Sequence, residues 1–297
     1  MMINYQMRVQ QKMSSMELIK KLRDTTGSGI VDCKKALSEN NNDIDASIKW
    51  LREKGILKAQ KKQNRETNEG VISFYNNSSN TDFTVCKIKC ETDFVAKNDD
   101  FLNFTKEIGE INNTVSSNLN KLNDSKMKNG STVSQNLIDL ITKIGEKITI
   151  GRSKTLENSN SKIFTYNHSI VKDNLSKLGV VVSLEFEKNS KDIDEFGKQI
   201  SMHVAASNPM VIDKKDIKDD IVEKEKKIIQ EELKNLGKPK EIAEKISLGK
   251  INKFKEDNSL LTQDWVIDPK LKVKDVLNKI DSKGLKIKDF VRIKIGE

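Results

Sequence analysis

The sequence predicts an α+β protein built in several units, and three features of its apolar pattern carry that prediction. Three short helical stripes follow one another between Met16 and Leu57. Twice after that, the apolar period changes from about 3.6 to 2 and back again. A highly charged stretch, residues 213–254, then carries a narrow helical stripe on each side of a Gly-Lys-Pro break. Strand pairs and helices that alternate in blocks in this way belong to α+β architecture.

In the first unit, residues 16–57, Leu18, Ile19 and Leu22 share one helical face until "TTGSG" breaks it. Ile30, Cys33, Ala36 and Leu37 build a second face, and three asparagines make the next turn. Asp43 is the expected N-cap of a third helix with Ile44, Ile48 and Leu51 on one side, Gly55 as its stop and Trp50 closing the small core. Three helices in about 40 residues lie near the lower size limit for independent folding. Residues 1–15 read as a disordered extension or an early start codon, and the polar, basic 58–70 as a linker. Glycines 27 and 29 do not make a phosphate loop, because the Gly-Lys-Ser/Thr that would complete it is missing.

From 71 to 150 the period becomes alternating. "VISFY" and "FTVCKIKC" flank the turn-forming "NNSSNTD" and read as an antiparallel hairpin. Cys86, Ile88 and Cys90 point to one face of its second strand, with Lys87 and Lys89 on the other. A helix with Phe101, Phe104 and Ile108 follows. Residues 112–135, rich in Asn, Ser and Lys, read as a long loop or a marginal helix, before "LIDLITKIGEKITIGR" resumes the apolar period.

A second α+β unit, residues 151–212 and 255–297, repeats the order. "KIFTYNHS" and "GVVVSLEFE" form a strand pair, and "DEFGKQISMHVAASNP" a helix stopped by Pro209. The inserted 213–254 places Val222, Ile229, Leu233 and Leu236 on one stripe, breaks at Gly237 and Pro239, and resumes with Ile242 and Ile246, the pattern of an antiparallel coiled-coil hairpin. "WVIDPKLKVKDVLNKI" and the strand-like "IKDFVRIKI" close the chain.

Composition excludes several function classes. Charged residues make up 33% and hydrophobic ones 35% of the chain, so no run approaches the roughly 18 apolar residues of a membrane span. The net charge of +9 raises the prospect of an acidic partner, but 53 Lys and Arg are interleaved with 44 Asp and Glu, the mark of a solvated charged surface. An RNA-binding factor would concentrate that charge beside aromatic platforms, and only 5% of residues are aromatic. Three cysteines form an odd set that fits a reducing compartment, and Cys86 and Cys90 on one strand face read as core rather than zinc ligands. Two distant histidines and no clustered nucleophile leave an enzyme little to build on. His203, in an apolar helix, reads as a packed or hydrogen-bonded histidine, and His168 as a solvent-facing residue near the turn "SIVKDNLSKLG".

"CETDFVAKNDDF", residues 90–101, places Phe94 beside an acid where strand passes to helix. From capping preference alone, Thr92 or Asp93 N-caps the following helix and Phe94 packs inward. A capped start would equally serve as a mount for an exposed aromatic.

Together with this segment, "LIKKLRDTTGSGIVDCKKAL", "WLREKGI", "HVAASNP" and "GKPKEIAEKI" resemble the elongation factor Ts family, the guanine-nucleotide exchange factors for elongation factor Tu, in the family's order from about Met16 to Gly296. The resemblance implies an N-terminal bundle like a ubiquitin-associated domain, two related α+β subdomains and an inserted coiled coil. It implies no covalent chemistry, no cofactor and no metal of the chain's own. Thr92, Asp93, Phe94 and Val95 match the segment that dislodges magnesium from elongation factor Tu, Asp93 and Phe94 being the pair that intrudes into the GTPase domain. Arg23, Ile30 and Val31 match positions where the bundle grips that domain, and Gly145 and His168 match contacts to the partner's third domain. The implied setting is the cytoplasm of a bacterium, ahead of an organellar matrix or stroma, with no direct nucleic-acid or membrane partner. Many members continue past "FVRIKIGE" into a C-terminal module, so a contact from such a module is not expected of these residues.

Overall fold

The computed structural model describes residues 15–77, 82–157, 161–236, 239–280 and 284–297. The chain divides into two compact units, one of residues up to 73 with 86–152 and 295–297, the other of 74–85 with 153–294. The α+β class is borne out. The extension expected over 1–15 lies, Ser15 apart, outside the described residues.

In the first unit, α1 (Ser15–Thr26), α2 (Ile30–Glu39) and α3 (Ile44–Gln60) close on Ile19, Leu22, Cys33, Ala36, Leu37 and Leu51, with Trp50 against the edge. Asp43 caps α3 by accepting from the Ala46 N–H at 2.7 Å. Asn41 and Asn42 take the left-handed backbone that lets the preceding turn reverse. Two expectations are corrected here. Ile30 is not core: it opens α2, its side chain tilts back past the helix start, and it is 54% exposed. Gly55 does not stop α3, which runs on to Gln60 and so takes up the first residues of the expected linker. Gly55 is there for close approach. A Cβ at this position would lie 3.0 Å from Thr142 Oγ1 and 3.2 Å from Ile138 Cγ2, both on α6 (Val133–Ile144). The helix tolerates the roughly 1 kcal/mol propensity cost of glycine because two helices pack through it.

Strands β1 (Glu69–Asn76) and β2 (Asp82–Cys90) form where alternation predicts them, but Lys87 is buried rather than solvated. The cause is a strand that the sequence pattern does not reveal: β3 (Thr149–Glu157) pairs along the edge of β2, with Gly151 against the Lys87 backbone. Burial lowers the Lys87 pKa, and its Nζ donates to the Glu297 carbonyl. Cys86 is core as expected, and burial pushes its thiol up to about 12.

The stretch 112–135 is not a loop. It contains the end of α4 (Asp99–Thr114), all of α5 (Leu119–Asp124) and the start of α6. Its polar residues obscure the helices because many of them are caps: Asn118 accepts from the Lys121 N–H, and Thr132 from the Gln135 N–H. Leu122 and Val133 are fully buried, and Asn112 is too.

In the second unit, β4 (Ser161–Lys172) and β5 (Leu175–Glu185) pair antiparallel, and β6 (Lys286–Lys294) pairs antiparallel with β5. The strand order is β3-β2-β1-β5-β4, with β6 joining at β5. On this sheet lies α7 (Lys191–Ser207), its Ile193, Phe196, Ile200 and Val204 sharing a core with Phe164, Val180, Val182 and Trp265. Asn208, left-handed at φ 46°, ends α7 just before Pro209. The charged insertion forms α8 (Asp219–Asn235) and α9 (Lys240–Asp257), bridged by Lys250 and Glu232 at 2.7 Å; α10 (Val273–Lys279) follows. The apolar stripe is shorter than expected. Ile229 and Leu233 are buried and Ser247 joins them, whereas Leu236 and Ile242, beside the turn, are exposed. A pair of helices covers its own seam only where they run side by side. Gly237, named as part of the break, lies outside the described residues.

His203 is packed and hydrogen-bonded, as its surroundings predict. A backbone N–H can only donate, so Nδ1 accepts from Val266 N at 3.2 Å, and Nε2 carries the proton toward Gln263 Oε1 at 3.0 Å. The ring stacks on Trp265 at 5.2 Å, and the Gln263 amide donates to the Ser207 and Asp257 carbonyls. Burial lowers the His203 pKa below its ordinary 6.5, with the Gln263 bond opposing in part.

Two outcomes follow from this packing. Replacing Gly55 by Val overpacks the contact between α3 and α6, and denaturant unfolding should show a loss of about 1–3 kcal/mol. Below pH 6.5 the unfolded chain takes up a proton at His203 that the folded chain refuses. Unfolding free energy should therefore fall as pH drops from about 6.5 toward the depressed folded pKa, and His203→Phe should flatten that part of the profile.

Candidate partner-binding site

Between β2 and α4 the chain makes one tight turn, and each of its residues has a defined support. Cys90, buried at the strand end, points Sγ at the Thr92 carbonyl at 3.2 Å. Thr92 donates twice to one carboxylate, from its N–H to Glu146 Oε2 at 3.1 Å and from Oγ1 to Glu146 Oε1 at 2.8 Å. The return bond comes from the Lys147 N–H to Glu91 Oε1 at 2.5 Å. A 3₁₀ turn over Val95–Lys97 follows, closed by Ala96 N to Thr92 O and Lys97 N to Phe94 O, both 3.2 Å. Val95 and Ala96 point inward and are buried.

The capping expectation is corrected. Asn98, not Thr92 or Asp93, caps α4, its Oδ1 accepting from Asp100 N at 3.0 Å and Phe101 N at 3.3 Å. Within the turn, Thr92 Oγ1 accepts from the Val95 N–H at 3.4 Å, short of the start of α4. Phe94 does not pack inward: it is 82% exposed, at the outer side of a turn whose other residues are anchored. Asp93 pairs with Lys97 at 2.9 Å across a solvated surface, a contact of small energetic weight.

The remaining candidate residues are held by different elements. Arg23 is exposed in the last turn of α1, while Ile30 and Val31 open α2, Val31 being 80% exposed. Lys143 of α6 connects this bundle with the start of α4, its side chain 3.4 Å from where a Gly27 Cβ would be and its Nζ 2.8 Å from Asp100. Gly145 ends α6 with φ 87° in open space, so glycine is required there by backbone angle and not by crowding. It directly precedes Glu146, which brings Gly145 beside the Thr92–Val95 turn. His168 belongs to the second unit, exposed on β4 opposite Leu178, with Tyr166 OH 3.2 Å from Nδ1. The long turn expected after His168 is corrected: the ladder with β5 continues to Lys172, and Asp173 and Asn174 alone reverse the chain, Asn174 at φ 62°.

Glu146 is the residue that sequence reasoning missed. An acid after a glycine helix stop is an unremarked pattern, and its partner lies 54 positions away. Among the described residues no group of three or more His, Cys, Asp or Glu could hold a metal ion, and no helix is long and apolar enough to cross a membrane.

Exposed apolar side chains on hydrogen-bonded, buried mounts are features of the kind that mark protein-binding surfaces. Comparison with known proteins then says which such protein family this is. A family profile described as elongation factor TS matches residues 91–297, and one described as elongation factor Ts, mitochondrial, N-terminal, matches 3–62. The chain belongs to the elongation factor Ts family. It is 38% identical over 282 residues to elongation factor Ts of Zymomonas mobilis, covering 94% of this chain and 91% of that protein. The corresponding protein of Allorhizobium ampelinum is 37% identical over 284 residues, with 94% and 92% covered. That of Clostridium kluyveri is 37% identical over 291 residues, with 96% and 94% covered.

Because Phe94 buries almost nothing in the isolated chain, Phe94→Ala should change unfolding free energy by no more than about 0.5 kcal/mol. Val95→Ala, one residue on but inward, should cost about 1–3 kcal/mol in the same denaturant titration.

Proposed function

We infer that this chain is a guanine-nucleotide exchange factor of translation elongation: it binds elongation factor Tu carrying GDP and promotes GDP release and uptake of GTP. The observation that carries the reading is Phe94, 82% exposed on a rigid turn within the Thr92–Val95 segment. Arg23, Ile30 and Val31 grip the GTPase domain, Asp93 and Phe94 intrude into it, and Gly145 and His168 touch the partner's third domain. The bundle, like a ubiquitin-associated domain, joined by the residues between α3 and β1 to α+β subdomains at 71–150 and at 151–212 with 255–297, and the coiled-coil hairpin at 213–254, supply the mounts. The task requires no covalent chemistry, no cofactor and no nucleic acid, and its setting is the bacterial cytoplasm, where three buried free thiols are at home.

Linkage supplies the mechanism. A protein that binds the empty GTPase more tightly than the loaded one weakens nucleotide binding by the same factor. The magnesium ion belongs to the partner, where it neutralises phosphate oxygens; dislodging it removes that neutralisation and loosens GDP. Phe94 contributes by burying its ring only when the partner opens, since a contact made equally in both states would shift nothing. Burial of one aromatic together with loss of the ion amounts to about 4 kcal/mol of coupling, roughly a thousandfold in affinity.

The test is release of a fluorescent GDP analogue from elongation factor Tu. Wild type should accelerate it strongly, and Asp93→Ala/Phe94→Ala should abolish most of the gain while remaining folded. Chelating magnesium should speed release from elongation factor Tu alone and shrink the advantage of adding this protein. No acceleration by wild type would overturn the reading, and a steeply salt-dependent affinity for RNA would then favour the basic surface instead.

A further inference from the structure

Phe94 is 82% exposed and has little packing to aim it, so its direction comes mainly from the backbone on either side. On the downstream side Val95 and Ala96 are buried and Asn98 caps α4. Upstream, the support is the pair of hydrogen bonds from Thr92 to the Glu146 carboxylate, at 3.1 and 2.8 Å. Thr92 is also the residue whose carbonyl closes the turn through Ala96. A shift of Thr92 is therefore a rotation of the turn that carries the ring. We propose that Glu146 is a positioning residue for exchange: it touches neither nucleotide nor ion, and acts by holding Thr92 so that Phe94 is presented in one orientation.

Three observations make this more than a local bond. The carboxylate uses both oxygens on one residue, and a charged acceptor makes each bond stronger than a neutral one. The stitch is reciprocal, since Lys147 N–H returns to Glu91, so the chain after α6 and the chain after β2 are held at two adjacent positions on each side, 91–92 and 146–147. Finally, α6 is the helix against which Gly55 of α3 packs, and Lys143 of the same helix reaches Gly27 and Asp100. The bundle with Ile30 and Val31 and the turn with Phe94 are thus both referred to one helix. Capture of the partner by the bundle can persist when the Glu146 bonds are lost; the orientation of the ring cannot.

This inference rests on the exchange reading, and the experiment separates the two. Release of a fluorescent GDP analogue from elongation factor Tu is measured against concentration of wild type, Glu146→Ala, Glu146→Gln, Thr92→Val and Phe94→Ala, each shown by circular dichroism to melt cooperatively. Glu146→Ala should lower the saturating release rate about tenfold with little change in the half-saturating concentration, as expected when a bond to a charged acceptor is lost from the productive state. Glu146→Gln, which keeps one acceptor oxygen, should fall between. Thr92→Val added to Glu146→Ala, or Glu146→Ala added to Phe94→Ala, should cost almost nothing further, because each pair acts through one element. Full additivity with Phe94→Ala, an unchanged saturating rate, or an effect confined to the half-saturating concentration would each overturn the positioning role while leaving exchange intact. Failure of wild type itself to accelerate release would overturn the exchange reading and, with it, this one.

Discussion

The presentation of Phe94 depends on the clasp between Thr92 and Glu146. An aromatic ring exposed to water is unfavourable in the free protein and becomes useful only where it meets an apolar pocket. If the turn beneath it were loose, ordering it on binding would cost much of what burying the ring contributes. The fold removes that cost in advance, with a carboxylate on one side of the turn and buried Val95 and Ala96 on the other.

Close packing of helices extends the same logic through the first unit. Gly55 brings α3 against Ile138 and Thr142 of α6, and the end of α6 delivers Gly145 and Glu146 to the turn. Left-handed Gly145 is the hinge point of that delivery: the chain has to leave the helix axis within one residue for the next carboxylate to reach Thr92. In the second unit the His203 cluster plays a comparable part, since one neutral imidazole and one amide tie α7, the end of α9 and the Trp265 segment together with every hydrogen bond made.

The free surface is highly charged but energetically quiet. Pairs such as Lys97–Asp93, Lys250–Glu232 and Lys253–Asp257 join exposed side chains, where solvent screens most of the attraction. Among these charges the exposed apolar residues, Val31 and Phe94 above all, stand out.

Local pattern by itself determined the bundle, the first hairpin, α7 with its stop before Pro209, and the helical insertion, because 3.6- and 2-residue periods and capping residues are properties of neighbours in sequence. It also offered Phe94 as an oddity, though only the family resemblance turned that oddity outward. Tertiary structure alone decided the rest. Thr149–Glu157 is a strand despite carrying few apolar residues, because the neighbouring β2 supplies its hydrogen bonds. Lys87 is buried because that strand pairs beside it, and Gly55 continues a helix because another helix needs the space. Helix α5 and the first turn of α6 were hidden behind the very Asn and Thr side chains that start them. Glu146 could not be read at all: a hydrogen bond across 54 residues leaves no mark on local periodicity, and exists only once two distant turns have been brought within 3 Å by the packing of everything between them.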